Sequence, residues 1–69
     1  MRLKELREDK DITQKELAQI LNITQNTYSN YENGKTEPPY EIFKKLCLYY
    51  NVSADYILGL PKNMPYPER

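Results

Sequence analysis

The sequence contains no histidine and no tryptophan, one cysteine and only two glycines in 69 residues. Without imidazole there is no histidine base, no Ser-His-Asp or Cys-His pair and no His-ligated metal. Cys47 alone forms neither an intramolecular disulfide nor a thiolate cluster, and in its apolar helical stretch it is expected as a small core residue. Two glycines do not make a Gly-rich phosphate loop. Excess charge is missing as well: ten Lys plus Arg balance ten Asp plus Glu. No apolar run approaches the ~18 residues of a membrane span, and Met1-Arg2-Leu3-Lys4-Glu5 lacks a signal-peptide apolar region. The expectations are no enzyme, no cofactor or metal, no small-molecule ligand, no membrane and a cytoplasmic location.

What is present reads as short helices separated by turns, since β-branched alternation is absent. Leu3 and Leu6, with Arg7 beside them, mark a first helix over residues 2–10. Thr13-Gln14-Lys15-Glu16 is a capping box, in which the Thr13 hydroxyl accepts from the Glu16 amide and Glu16 reaches back. It opens a second helix carrying Leu17, Ala18 and Leu21 and ending near Asn22, a residue that tolerates the left-handed conformation. Ile23 plugs the turn and Thr24 caps a third helix that runs to about Asn33 and stops at Gly34. Pro38-Pro39 precedes a fourth helix whose apolar face is assigned to Tyr40, Phe43, Leu46, Cys47 and Tyr50. Asn51 closes it, Val52 plugs the turn and Ser53 caps a short fifth helix from Ala54 to about Leu58. The last ten residues hold three prolines and are expected as an extended tail. The predicted architecture is all-α, with five helices in one domain over residues 1–59 and a tail over 60–69.

The segment from Thr24 to Tyr31 carries no charged residue in a chain that is 29% charged. Exposed helix faces normally carry Lys, Glu and Arg, which form helices well and keep surfaces soluble. At about 100° per residue, Thr24, Tyr28 and Tyr31 fall on one side with Thr27 at its edge, and Gln25, Asn26, Ser29, Asn30 and Asn33 on the other. Amides donate to and accept from adenine edges, and hydroxyls serve either role. A helix centred on small Ala18, a tight plugged turn and a second polar helix describe a helix-turn-helix. Gln14 and Thr24 lie at helix N-termini, where free amides and the helix dipole attract phosphate without a lysine.

Gln14-Lys15-Glu16-Leu17-Ala18, Leu21-Asn22-Ile23-Thr24 and Ser29-Asn30-Tyr31-Glu32-Asn33-Gly34-Lys35 together resemble the Cro/repressor-type, or XRE, helix-turn-helix family. Pro38, Leu46-Cys47 and Val52-Ser53-Ala54-Asp55-Tyr56-Ile57-Leu58 extend the resemblance from residue 2 to about 59. It implies a lambda-repressor-like domain in which Gln25, Asn26 and Asn30 read bases. Gln14, Thr24, Thr27, Ser29, Asn33 and Lys35 are then phosphate or flanking contacts. Arg7 and Glu32 match a partly buried salt bridge of structural character. The sequence departs from the family where Asn22 and Asn51 replace glycine, where Tyr28 replaces an aliphatic residue, and where Glu37-Pro38-Pro39 makes the following loop acidic.

Two functions follow. One is a sequence-specific, repressor-like regulator that binds a palindromic double-stranded DNA operator as a homodimer. The other is an antitoxin-like protein-interaction module of the same fold with weak DNA affinity. Zero net charge predicts low nonspecific affinity and a shallow salt dependence in either case. Tyr49, Tyr56, Leu60, Met64 and Tyr66 exceed what five short helices bury. Of these, Tyr56, Leu60, Met64 and Tyr66 are the expected dimer interface.

Overall fold

The computed structural model describes residues 1–60. Among them, five helices follow in order: α1 (Leu3–Asp9), α2 (Gln14–Leu21), α3 (Gln25–Asn33), α4 (Tyr40–Tyr50) and α5 (Ala54–Leu58). Three of them start at a short polar side chain. Thr13 Oγ1 accepts from the Glu16 amide at 3.0 Å while Glu16 Oε1 accepts from the Thr13 amide at 3.2 Å, which closes the capping box of α2. Thr24 and Ser53 cap α3 and α5 by accepting from the amides of Thr27 and Tyr56, at 3.1 and 3.2 Å. Pro39 (φ −62°) leads into α4 without a side-chain cap.

Helix ends are equally local. Asn22 and Asn51 adopt φ of 60° and 56°, the left-handed turn that exposes the last carbonyls to new donors. Asparagine stands here for the usual glycine because its short side chain tolerates that region. Each turn then returns an apolar plug: the Ile23 amide donates to the Ala18 carbonyl and the Val52 amide to the Cys47 carbonyl, both at 3.0 Å.

The core lies where all five helices meet. Leu3, Leu17, Ala18, Leu21, Tyr28, Tyr31, Leu46, Tyr50 and Ile57 are buried. Burying one Leu or Ile contributes roughly 1.5–3 kcal/mol, a large share of the ~5–10 kcal/mol a domain of this size has. The Arg2 amide donates to the Ile57 carbonyl at 2.8 Å, so the start of α1 is tied to α5.

Three sequence expectations need correction. Tyr40 does not belong to the buried face of α4 but is 77% exposed. Helical side chains lean back toward the N-terminus, so a first-turn residue reaches beyond the core that Leu46 fills and Phe43 packs against. Cys47 is only half-buried and packs at the edge of the core, where burial pushes its thiol pKa up. Tyr49 is half-buried against the core, edge-on to Tyr50 at 5.1 Å, and so is largely accounted for. Met64, Tyr66 and the rest of the expected tail after Leu60 lie outside the described residues.

Candidate nucleic-acid interface

Helices α2 and α3 meet across the turn at Asn22-Ile23-Thr24. Ala18 of α2, 2% exposed, presents only a methyl group to the core. Tyr28 and Tyr31 anchor the inner face of α3 with rings edge-to-face at 6.4 Å. That turns Gln25 and Asn26 outward.

At the start of α3, Gln25 and Asn26 are exposed, and their amides make no hydrogen bond among the described residues. Asn30, one turn on, is half-buried, and its side-chain amide is likewise unbonded among the described residues. Its backbone carbonyl accepts from the amides of Lys35 and Thr36, at 3.0 and 3.5 Å, and so holds the following loop. Of the other expected contacts, Thr24, Thr27, Ser29 and Asn33 are already engaged. Thr24 Oγ1 carries the cap and bonds Thr27 Oγ1 at 2.8 Å, and Asn33 Nδ2 donates to Ser29 Oγ at 3.4 Å. Lys35 is exposed just beyond the helix.

The far end of α3 is built around Glu32, whose side chain is 3% exposed. Arg7 of α1 donates Nε to Oε2 at 2.7 Å and Nη2 to Oε1 at 3.4 Å, while its Nη1 donates to the Ile12 carbonyl at 2.9 Å. The expected Arg7–Glu32 pair is thus present. Gln14 is a different matter: its Nε2 donates to Glu32 Oε1 at 3.2 Å, an internal bond that spacing alone did not reveal. Burial works to raise the Glu32 pKa, but the bonds from Arg7 and Gln14, the Tyr28 hydroxyl and the Arg7 charge outweigh it and leave it below the ordinary value. The bond to Glu32 raises the Arg7 pKa in turn.

The helix-turn-helix family model matches residues 3–57. The chain belongs to the helix-turn-helix family. This helix-turn-helix protein is 50% identical over 58 residues to the HTH-type transcriptional regulator ImmR of Bacillus subtilis, covering 84% of the chain and 46% of ImmR. It is 40% identical over 60 residues to the antitoxin PezA of Streptococcus pneumoniae, covering 87% of the chain and 38% of PezA. It is 35% identical over 51 residues to the cryptic phage CTXphi transcriptional repressor RstR of Vibrio cholerae, covering 74% and 46%. The chain spans about half the length of the curated relatives it matches. No solved structure matches it.

Around α5 the expected interface residues Tyr56 and Leu60 are 46% and 43% exposed. Leu58 and Met1, which sequence reasoning did not select, are 43% and 52% exposed. Helical periodicity assigned neither one, because Leu58 sits at a helix end and Met1 before the first helix. No helix among the described residues is long and apolar enough to cross a membrane.

Proposed function

We propose that this chain is the DNA-reading part of a cytoplasmic transcriptional regulator that places α3 in the major groove of a specific double-stranded sequence. The observation that carries this reading is the first turn of α3, where two exposed amides are unbonded on a helix with no exposed charge. Gln25, Asn26 and Asn30 are the base-reading residues, because their hydrogen-bonding capacity is unspent and amides match base edges in both directions. Lys35 and the N-terminal amides of α2 and α3 supply phosphate contacts. The names of ImmR and RstR support regulation of transcription, and of repression in the case of RstR.

Selection of bound sequences from a random DNA pool tests this directly. A recovered motif spanning a few base pairs per subunit is the expected result. Recovery of unenriched sequences by a folded protein would turn the assignment to the second reading, a protein-interaction module. Similarity to the antitoxin PezA and the acidic Glu37 in the loop after α3 favour that alternative.

The regulator acts as a homodimer on a two-fold operator, with its recognition helices about 34 Å apart. Exposed Tyr56, Leu58 and Leu60 support α5 as the interface, in continuity with Met64 and Tyr66 in the sequence. Sedimentation equilibrium of the parent and of a Tyr56→Ser, Leu58→Ser variant checks this. A dimeric parent and a monomeric variant are expected, and a parent that stays monomeric at high concentration contradicts it.

A further inference from the structure

Two buried hydroxyls, Tyr28 Oη on α3 and Tyr50 Oη on α4, make no hydrogen bond among the described residues. Tyr28 is 0% exposed and Tyr50 7%. Phenylalanine would fill either place without the desolvation cost of a hydroxyl, so the oxygens call for a partner.

Lone-pair counting at Glu32 finds an acceptor position still open. Oε1 already accepts from Arg7 Nη2 and Gln14 Nε2, whereas Oε2 accepts from Arg7 Nε alone. A carboxylate oxygen has two acceptor positions, so Oε2 keeps one open. Tyr28 precedes Glu32 by four residues on α3, the spacing that puts two side chains on one face. Burial and then the Glu32 carboxylate push the Tyr28 pKa up. Burial, followed by Tyr49 and Glu32, pushes Tyr50 to about 12, and Tyr28 is among the groups near enough to act on it.

We propose that Tyr28 and Tyr50 are positioning residues for α3: Tyr28 Oη donates to the open position on Glu32 Oε2, and Tyr50 Oη donates to Tyr28 Oη. Each hydroxyl gives its single proton, and every acceptor in the chain has room for it. Glu32 then gathers α1 through Arg7, α2 through Gln14 and α4 through Tyr50. A helix held by polar groups from three neighbours is fixed in rotation about its own axis, which decides where Gln25 and Asn26 point. This explains why an aromatic hydroxyl stands at position 28.

Equilibrium denaturation of Tyr28→Phe, Tyr50→Phe and the double variant tests the network. A closed chain predicts that Tyr28→Phe lowers the folding equilibrium constant about 5- to 10-fold. It also predicts that the double variant loses less than the product of the single losses, because removing Tyr28 already strands Tyr50. Hydroxyls that are merely buried give the opposite sign: each Phe variant is as stable as the parent or more so, and the effects multiply. That result overturns the proposal.

Positioning is read separately, on fully folded protein, as the ratio of affinity for selected over random DNA; this arm rests on the proposed reading by α3. The ratio should fall in Tyr28→Phe while random-sequence affinity stays constant. An unchanged ratio would make the pair purely structural and remove the positioning role. A parent that selects no sequence defeats the DNA reading instead, and the denaturation cycle still decides the network.

Discussion

The two ends of α3 are both polar, and they keep their polar groups in opposite conditions. At the first turn, Gln25 and Asn26 stand in solvent with their amides unbonded. At the last turn, Glu32 is almost fully enclosed and accepts from Arg7 twice and from Gln14 once. An exposed amide costs the fold nothing, since water satisfies it until a ligand does. A buried carboxylate has no such freedom and must be paired where it sits. One end is therefore available for recognition and the other is committed to architecture, within nine residues of one helix.

The comparison breaks most severely at Glu32. Glu32→Ala strands the Arg7 guanidinium and leaves the Gln14 amide without its partner, so ~3–5 kcal/mol of stability should be lost in urea denaturation. A loss below about 1 kcal/mol would mean the pair is solvated and the two ends of the helix are alike. Thr13→Ala, which opens the capping box of α2, should cost a smaller ~1 kcal/mol in the same assay.

Acid should weaken the same end. The Glu32 pKa is lowered in the folded state, so the unfolded chain takes up the proton first. The pair's contribution is then complete above the ordinary value of 4.5 and is lost as pH falls through the lower folded value. Denaturation of the parent and of Glu32→Gln from pH 7 to about pH 3 should show their stability gap closing at the acid end. A gap that stays constant would show that the Glu32 charge contributes nothing to the fold.

The smallest effect belongs to Lys35, an exposed cation just beyond the last turn of α3. Lys35→Ala should weaken binding to all DNA sequences about equally and reduce the salt slope by about 1. A change confined to the selected sequence would make Lys35 a base contact.

How much of this was legible in the sequence follows from how local each cause is. Thr13 with Glu16, Thr24, Ser53, Asn22 and Asn51 act within a turn of themselves, and the helices begin and end where those residues direct. The Arg7–Glu32 pair lies 25 residues apart and was reached through family resemblance, not periodicity. Gln14 was expected at phosphate, because a helix N-terminus attracts anions; that its amide turns inward depends on where α3 ends in space. Tyr40 fits the apolar spacing of α4 and yet is exposed, because spacing gives a face and says nothing of how far the core extends along it. Tyr50 fits the apolar spacing of α4 as an ordinary core residue, and only the packed structure shows that its buried hydroxyl lacks a partner.

The central claim, that the first turn of α3 reads DNA and contributes little to the fold, is tested most directly by Gln25→Ala combined with Asn26→Ala. Affinity for the selected sequence and for random DNA is measured beside urea stability. The expected result is a loss of ~1–3 kcal/mol per good base contact on the selected sequence alone, with stability within about 0.5 kcal/mol of the parent. A variant that binds the selected sequence as tightly as the parent does would contradict it.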